Sequence, residues 1–495
     1  MSKTFALSLD EMSGRTLFSA VAAFMITLVC WSLSNPAGST PDEWFHLANI
    51  WCANGVSLNS CAGTSSGVTT ANIDISSCIF TLASEVRQCS NAVWVESNIR
   101  GENYPNGIYQ VLNFFIPLGA SVNILAMRIF GGFVASILLI AQFYLIKTEN
   151  IATWLSGFTL TLVPMGLFLV SSLHPSGWAL TAGAHGWMFL ITALTSSKDE
   201  RLKRFLAIAG WFFCGFICIL SRYDAFMFFL ATSVLTNIFA VSFYWKKYQI
   251  RKLFFIVFTL ITLGLIFLFQ RFNILFSLGL FNPGPGQLQN KYWSLAWLIR
   301  TIAIPVEIFG KGEIAQQGID MPPVVWILGI AVVASMLIFA LININFRQVS
   351  AILSSFALLF ITVLWLNNLM YRDVINLNGR YVIPLVPFFI GLWFYTSKSP
   401  IQFMEIRELR KIGIVLLGIA HSISLHTVLD TFVDGQSFSF LPIDVGTTGW
   451  WWVGLPIGPN FVWLLGSISF VYFLRKLWSF VPYVELRTSS AASPL

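Results

Sequence analysis

The 495-residue chain is 56% apolar and only 10% charged, with 19 Trp, 46 Phe and a mean hydropathy of +0.74. Those values exclude a soluble globular enzyme and describe a polytopic membrane protein. The formal net charge of +7 comes from basic residues gathered in short loops between apolar stretches. It therefore reads as a topology signal and not as a nucleic-acid-binding surface.

A helix needs about 20 apolar residues to cross the hydrocarbon core, and lipid offers no partner for unpaired backbone. The hydropathy pattern accordingly predicts an all-α membrane protein, a single polytopic domain over 1–495 with about twelve transmembrane helices. The predicted spans are roughly 16–34, 122–146, 151–171, 177–195, 205–221, 225–244, 253–269, 323–343, 350–369, 381–396, 412–429 and 459–474. The first begins with Lys3 and Arg15 like a signal peptide, but eleven further spans favour an uncleaved anchor. Lys147, KDERLKR (198–204), WKKYQIRK (245–252), Arg347, Lys398, Arg407, Arg410, Lys411, Arg475 and Lys476 then share one side with both termini. The positive-inside rule makes that side cytoplasmic.

Residues 35–121 become a long first extracytoplasmic loop, expected to carry juxtamembrane helices. Its four cysteines, Cys52, Cys61, Cys78 and Cys89, predict two disulfides with three pairings that spacing does not separate. Cys30, Cys214 and Cys218 fall within spans as packing residues. Charge inside the spans is nearly absent apart from Arg128, near the outer end of the second. His185, His421 and His426 each stand alone in or near a span, where a bond to a neighbouring helix is the expectation rather than a proton relay. Trp450, Trp451 and Trp452 read as an interfacial aromatic belt, with stacking on sugar or lipid the minority alternative.

The polar stretch after the first span is SNPAGSTPDEWFHLANIWCANG (34–55). Thr40-Pro41-Asp42-Glu43 is a helix start, with Thr40 as N-cap, Pro41 at the first position and Glu43 completing a capping box. Capping does not account for His46. In a helix Asp42 and His46 lie four apart on one face, so a carboxylate and an imidazole would project together at the membrane surface.

This Pro-Asp-Glu-x-x-His stretch resembles that of a bacterial family known only as predicted membrane proteins, itself similar to the type C (GT-C) glycosyltransferases. YPNGIYQ (104–110) and NGRYVIPLVPF (378–388) are further matches. Where such proteins often carry Ser-Pro-Asp after the third span, this chain has SSLHPSGW (171–178), which puts His174 or Ser176 in place of an acid. SRYDAF (221–226) offers Arg222 and Asp224 at the outer end of the fifth span. Opposite charges two residues apart are more often a local ion pair than a site.

The resemblance implies a GT-C-like fold and a sugar taken from a polyprenyl-phosphate donor. The acceptor would be a cell-envelope glycan or lipid, at the outer face of a bacterial cytoplasmic (inner) membrane. An acceptor hydroxyl needs a general base, and a departing lipid phosphate needs guanidinium groups. Asp42 is the expected base, with Glu43 and His46 beside it as catalytic candidates. Arg380, Arg372 and Arg222 are the expected phosphate ligands. Tyr381, Tyr104, His174 and Asp224 are candidates for substrate contacts, and Tyr381 also reads as an interfacial anchor. No Asp-x-Asp motif occurs, and one Asp with one His is too few ligands to assign a divalent cation such as magnesium or manganese. The alternatives are a lipid-linked oligosaccharide flippase, which should line its path with basic residues, and a non-catalytic envelope-assembly protein.

Overall fold

The computed structural model describes residues 3–53, 61–63, 69–74, 78–80, 87–89, 92–97, 104–119, 122–197, 199–244, 295–311, 319, 321–370, 378–398, 402–434, 444–446, 450–452 and 456–483. The expected span at 253–269 and Arg372 lie outside these residues, as do the side chains of Cys61, Cys78 and Cys89.

Among the described residues eight helices are long and apolar enough to cross a membrane, or nine if one bent pair counts as a span. Their outward faces carry large apolar side chains, such as Phe205, Phe212 and Phe216 on one helix, which is how a helix presents itself to lipid. The described helices are α1 (Lys3–Leu33), α2 (Glu43–Trp51), α3 (Gly107–Asn113), α4 (Asn123–Leu145), α5 (Thr148–Phe158), α6 (Pro164–Val170), α7 (Pro175–Thr195), α8 (Arg201–Ser221) and α9 (Tyr223–Tyr244). Beyond them come Leu295–Ala303, Pro323–Leu341, Phe346–Met370, Val386–Thr396, Arg407–Asp434 and Pro459–Trp478.

Three expected spans depart from a straight crossing helix. The third is broken: α5 and α6 meet at 79°. Pro164 opens α6, and the residue before it, Val163, is extended at φ −73°, ψ 160°, because a proline ring disfavours helical backbone one residue earlier. The fourth, α7, is 21 residues long and almost wholly buried, so it is an interior helix wrapped by α4, α8 and α9. The tenth is helical only over Val386–Thr396, after two 3-10 turns at Gly379–Tyr381 and Ile383–Leu385, since Pro384 and Pro387 each remove a backbone donor.

The segment between α1 and α4 holds the short helices α2 and α3, and it adds strands that hydropathy did not announce. Cys61–Gly63, Thr69–Asp74 and Ala92–Ser97 form a three-stranded antiparallel sheet, and Cys78–Phe80 pairs with Arg87–Cys89. Cys78 and Cys89 are direct cross-strand partners.

Trp451 and Trp452 do not form a belt. They are 0% and 5% exposed, and the Trp452 indole donates to the Leu33 carbonyl at 2.9 Å, which ties the segment before the last helix to the end of α1. His421 behaves as expected of a lone intramembrane histidine: its Nδ1 accepts from the Trp31 indole at 3.4 Å, and its ring stacks on Phe470.

The α5 and α7 helices approach the 383–396 segment so closely that only glycine fits at the contacts. A Cβ on Gly157 would lie 2.3 Å from the Pro387 carbonyl oxygen, and one on Gly183 would lie 2.5 Å from that of Pro384. Both obstacles are backbone and cannot swing aside. Gly157→Ala is therefore expected to destabilise the protein by about 1–3 kcal/mol, lowering the midpoint of thermal unfolding in detergent. Gly14→Ala, where a Cβ meets nothing within 4 Å, should leave that midpoint unchanged or raised.

Candidate functional site

The stretch from Ser34 to Glu43 is a buried loop, not a surface turn. Its centre is Arg128, fully buried at the start of α4. The Arg128 guanidinium donates to the carbonyls of Ser32, Asn35 and Pro36 at 2.8–3.0 Å and to both carboxylate oxygens of Glu43 at 2.9 and 3.0 Å. Glu43 Oε2 also accepts from the backbone N–H of Gly38 and Thr40, at 2.9 and 3.2 Å. Half of the expected capping box is thus present, since Glu43 reaches the Thr40 backbone. The other half is not: the Thr40 hydroxyl has no partner, and the residue preceding the helix is Asp42. Glu43 is committed to the loop and does not face the groups described next.

Asp42 has φ 56° and ψ 17°, a left-handed conformation that a non-glycine residue holds only when its surroundings impose it. Spacing alone would set its carboxylate beside the His46 imidazole. Asp42 Oδ2 instead accepts from Arg380 Nη2 at 2.7 Å, and the aspartate side chain remains 45% exposed while that of Arg380 is 12% exposed. The expected base and the foremost expected phosphate ligand, 338 residues apart, are bonded to each other.

Arg380 is delivered by a short turn. Asn378 Oδ1 accepts from the Arg380 backbone N–H at 3.0 Å, and Glu307 accepts from the Gly379 N–H at 2.7 Å. The Arg380 Nε is buried with no hydrogen-bond partner. Tyr381 is not an interfacial anchor. It is 4% exposed and lies between two guanidinium groups, with Arg380 and Arg222 each 5.2 Å from its ring centre. Arg222, in the extended link between α8 and α9, pairs with Asp224 as the local reading expected, and also donates to the Ser176 hydroxyl.

Beneath the charged pairs lies an aromatic and imidazole layer. His46 Nδ1 is 2.8 Å from the Tyr109 hydroxyl, and the His46 ring packs edge-on against His174 at 4.8 Å and Tyr104 at 5.1 Å between centres. His46 is fully buried, and burial, reinforced by the charges of Arg380 and Arg222, pushes its imidazole down to about 3. His174 is lowered well below the usual histidine range by burial, then by His46 and the same two arginines. In both rings these effects favour the neutral form. Burial likewise raises the Tyr104 and Tyr109 phenols, which stay protonated.

The fold thus gathers Asp42, His46, Tyr104, His174, Arg222, Asp224, Arg380 and Tyr381 into one cluster, drawn from the first loop, the α6–α7 and α8–α9 links and the turn before the tenth span. It leaves out Glu43. Tyr109 and Glu307 were not singled out from sequence, although Tyr109 lay within the noted YPNGIYQ stretch; Arg128 was noted as the lone charge within the spans, without its role as the loop anchor. Among the described residues no group of three or more His, Cys, Asp or Glu could hold a metal ion.

The family model described as predicted membrane protein (DUF2142) matches residues 24–389, a range that contains every member of this cluster. No curated protein and no solved structure matches the chain.

Removing the Glu43 charge would leave Arg128 buried without a counter-ion, which typically costs about 3–5 kcal/mol. Glu43→Gln is therefore expected to lower the thermal midpoint markedly in detergent. An unchanged midpoint would mean that the pair does not hold the loop.

Proposed function

The chain belongs to the DUF2142 family of predicted membrane proteins, and from that premise we propose that it is a GT-C-type membrane glycosyltransferase. It transfers a sugar from a polyprenyl-phosphate donor to a glycan or lipid acceptor at the outer face of a bacterial cytoplasmic membrane. The observation that carries this reading is the Asp42–Arg380 pair at 2.7 Å: a part-exposed carboxylate and a guanidinium with an unused buried N–H, at one end of the helical bundle.

In the proposed step the acceptor hydroxyl oxygen attacks the anomeric carbon of the donor. Its proton passes to Asp42, and the bond from the anomeric carbon to the phosphate oxygen breaks with the electron pair staying on the phosphate. Arg380 and Arg222 stabilise the charge that develops there. Arg222 is anchored by Asp224 and Ser176 and acts as a fixed charge, whereas Arg380 has a donor to spare. A guanidinium shared by base and phosphate would also couple the two: as phosphate draws on the Arg380 charge, Asp42 becomes the stronger base.

Asp42→Asn keeps the shape but cannot take the proton. Purified protein with a polyprenyl-phosphate sugar should show at least a 100-fold fall in turnover, the scale of general-base catalysis, with an unfolding midpoint near the parent's. Arg380→Lys keeps charge without the planar fork and should weaken donor use about 10-fold. Normal turnover in both variants would remove the pair from any catalytic role.

The orientation, with both termini cytoplasmic and 35–121 outside, and the two loop disulfides are part of the same proposal. The cross-strand register of Cys78 and Cys89 supports one bridge between them, which leaves Cys52 and Cys61 for the other. Ser66→Cys and Ser197→Cys should label from opposite sides of the membrane, and non-reducing mass spectrometry should recover both bridges. Same-side labelling, or four alkylatable loop thiols, would overturn the corresponding assignment.

A further inference from the structure

The imidazole layer contains a donor with nothing to donate to. His174 Nδ1 accepts from the backbone N–H of Ser176 at 3.0 Å, capping α7. A ring nitrogen that accepts carries no proton, so a neutral ring must carry it on Nε2. That Nε2 is buried and has no hydrogen-bond partner among the described residues. Arg380 Nε is a second such donor. The nearby carboxylates are already paired, Asp42 with Arg380 and Asp224 with Arg222, so neither is a free acceptor. These two orphaned N–H donors, with His46 Nε2 a further buried ring nitrogen without a partner on the ring packed against His174, call for an anionic oxygen from outside the chain, since a buried donor left unpaired is costly.

We infer that His174 is a ligand-binding residue whose Nε2–H, together with Arg380 Nε–H, binds phosphoryl oxygen of a lipid phosphate. This rests on the reading of the cluster as a donor site and assigns a neutral imidazole a part in it. The purely structural alternative is that His174 only caps α7.

The two readings part at His174→Asn, because the asparagine oxygen can replace Nδ1 as the cap acceptor but supplies nothing at the Nε2 position. The probe is a long-chain polyprenyl phosphate, titrated into purified full-length protein in detergent. Inorganic phosphate and phosphatidylglycerol vesicles serve as parallel arms. H174N is expected to keep the parent's unfolding midpoint and bind polyprenyl phosphate about 10-fold or more weakly, while His174→Gln, with an amide N–H near Nε2, recovers part of the loss. Equal binding by parent and H174N would overturn the role of His174 while leaving the glycosyltransferase reading intact. Binding of phosphatidylglycerol as tight as polyprenyl phosphate, and equally dependent on His174, would keep the imidazole contact but sink the polyprenyl donor. Binding of inorganic phosphate alone, or of none of the three, would overturn both. Should H174N fail to fold, the parent labelled with ¹⁵N-histidine decides the matter, since the chain has 5 histidines. An Nε2–H resonance that shifts when polyprenyl phosphate is added supports the contact, and an unmoved set of histidine resonances overturns it.

Discussion

The arrangement of the loop that follows α1 depends on one fully buried ion pair, Arg128 with Glu43. An isolated charge in a bilayer protein is expensive, and pairing alone rarely compensates for its desolvation. Here the guanidinium also serves three backbone carbonyls, at Ser32, Asn35 and Pro36. These are carbonyls at and just beyond the end of α1, where a helix runs out of its own donors. Arg128 therefore supplies from α4 what α1 lacks, and Glu43 neutralises the charge this brings in. The consequence is positional: with the loop locked on both sides, Asp42 has no freedom to relax from its left-handed backbone, and its carboxylate is held toward Arg380.

A division of labour between adjacent acids follows from this geometry. Glu43 is wholly spent on the loop, so its neighbour Asp42 is the acid left partly exposed. Strain at Asp42 costs of order 1–3 kcal/mol, a sum that a loop held by so many buried hydrogen bonds can absorb. The remaining charges of the cluster follow the same economy. Each arginine has an aspartate, Tyr381 lies between the two guanidinium groups, and the histidines are kept neutral by burial and by positive charge nearby. On the proposed reading such a site receives negative charge, because its acids are already engaged while some of its donors are not.

Much of this could be read in the sequence, and the failures have physical causes. Most expected spans appear as helices close to their expected limits, because a run of about 20 apolar residues has few alternatives in lipid. Pro164, Pro384 and Pro387 were legible as residues, but hydropathy averages over a window and does not register a bend at one of them. Trp451 and Trp452 were misplaced because a tryptophan near a span end looks alike whether it faces headgroups or a neighbouring loop. The polar residues were found more surely than their partners. Asp42, Arg222 and Arg380 stood out by charge alone in an apolar chain, yet nothing in their spacing tied Asp42 to Arg380 in place of His46. That link joins residues 338 apart, a distance over which local spacing carries no signal, and the left-handed backbone of Asp42 is equally invisible to a helix-periodicity argument.

His174 shows the limit from the other side. As a sequence feature it marked a departure, an imidazole where relatives of the resembled type often carry an acid, and that departure put a second acidic site in doubt. The structure gives the substitution a chemical sense. A carboxylate next to Arg222 and Arg380 would compete with any incoming anion for their donors, whereas a neutral imidazole adds an N–H without adding negative charge. Its other nitrogen is fixed by the Ser176 backbone, so the ring cannot exchange tautomers without losing the cap. One residue thereby joins the local requirement of a helix start to the orientation of a proton in the cluster, in the same way that Glu43 joins the anchoring of a loop to the exposure of Asp42.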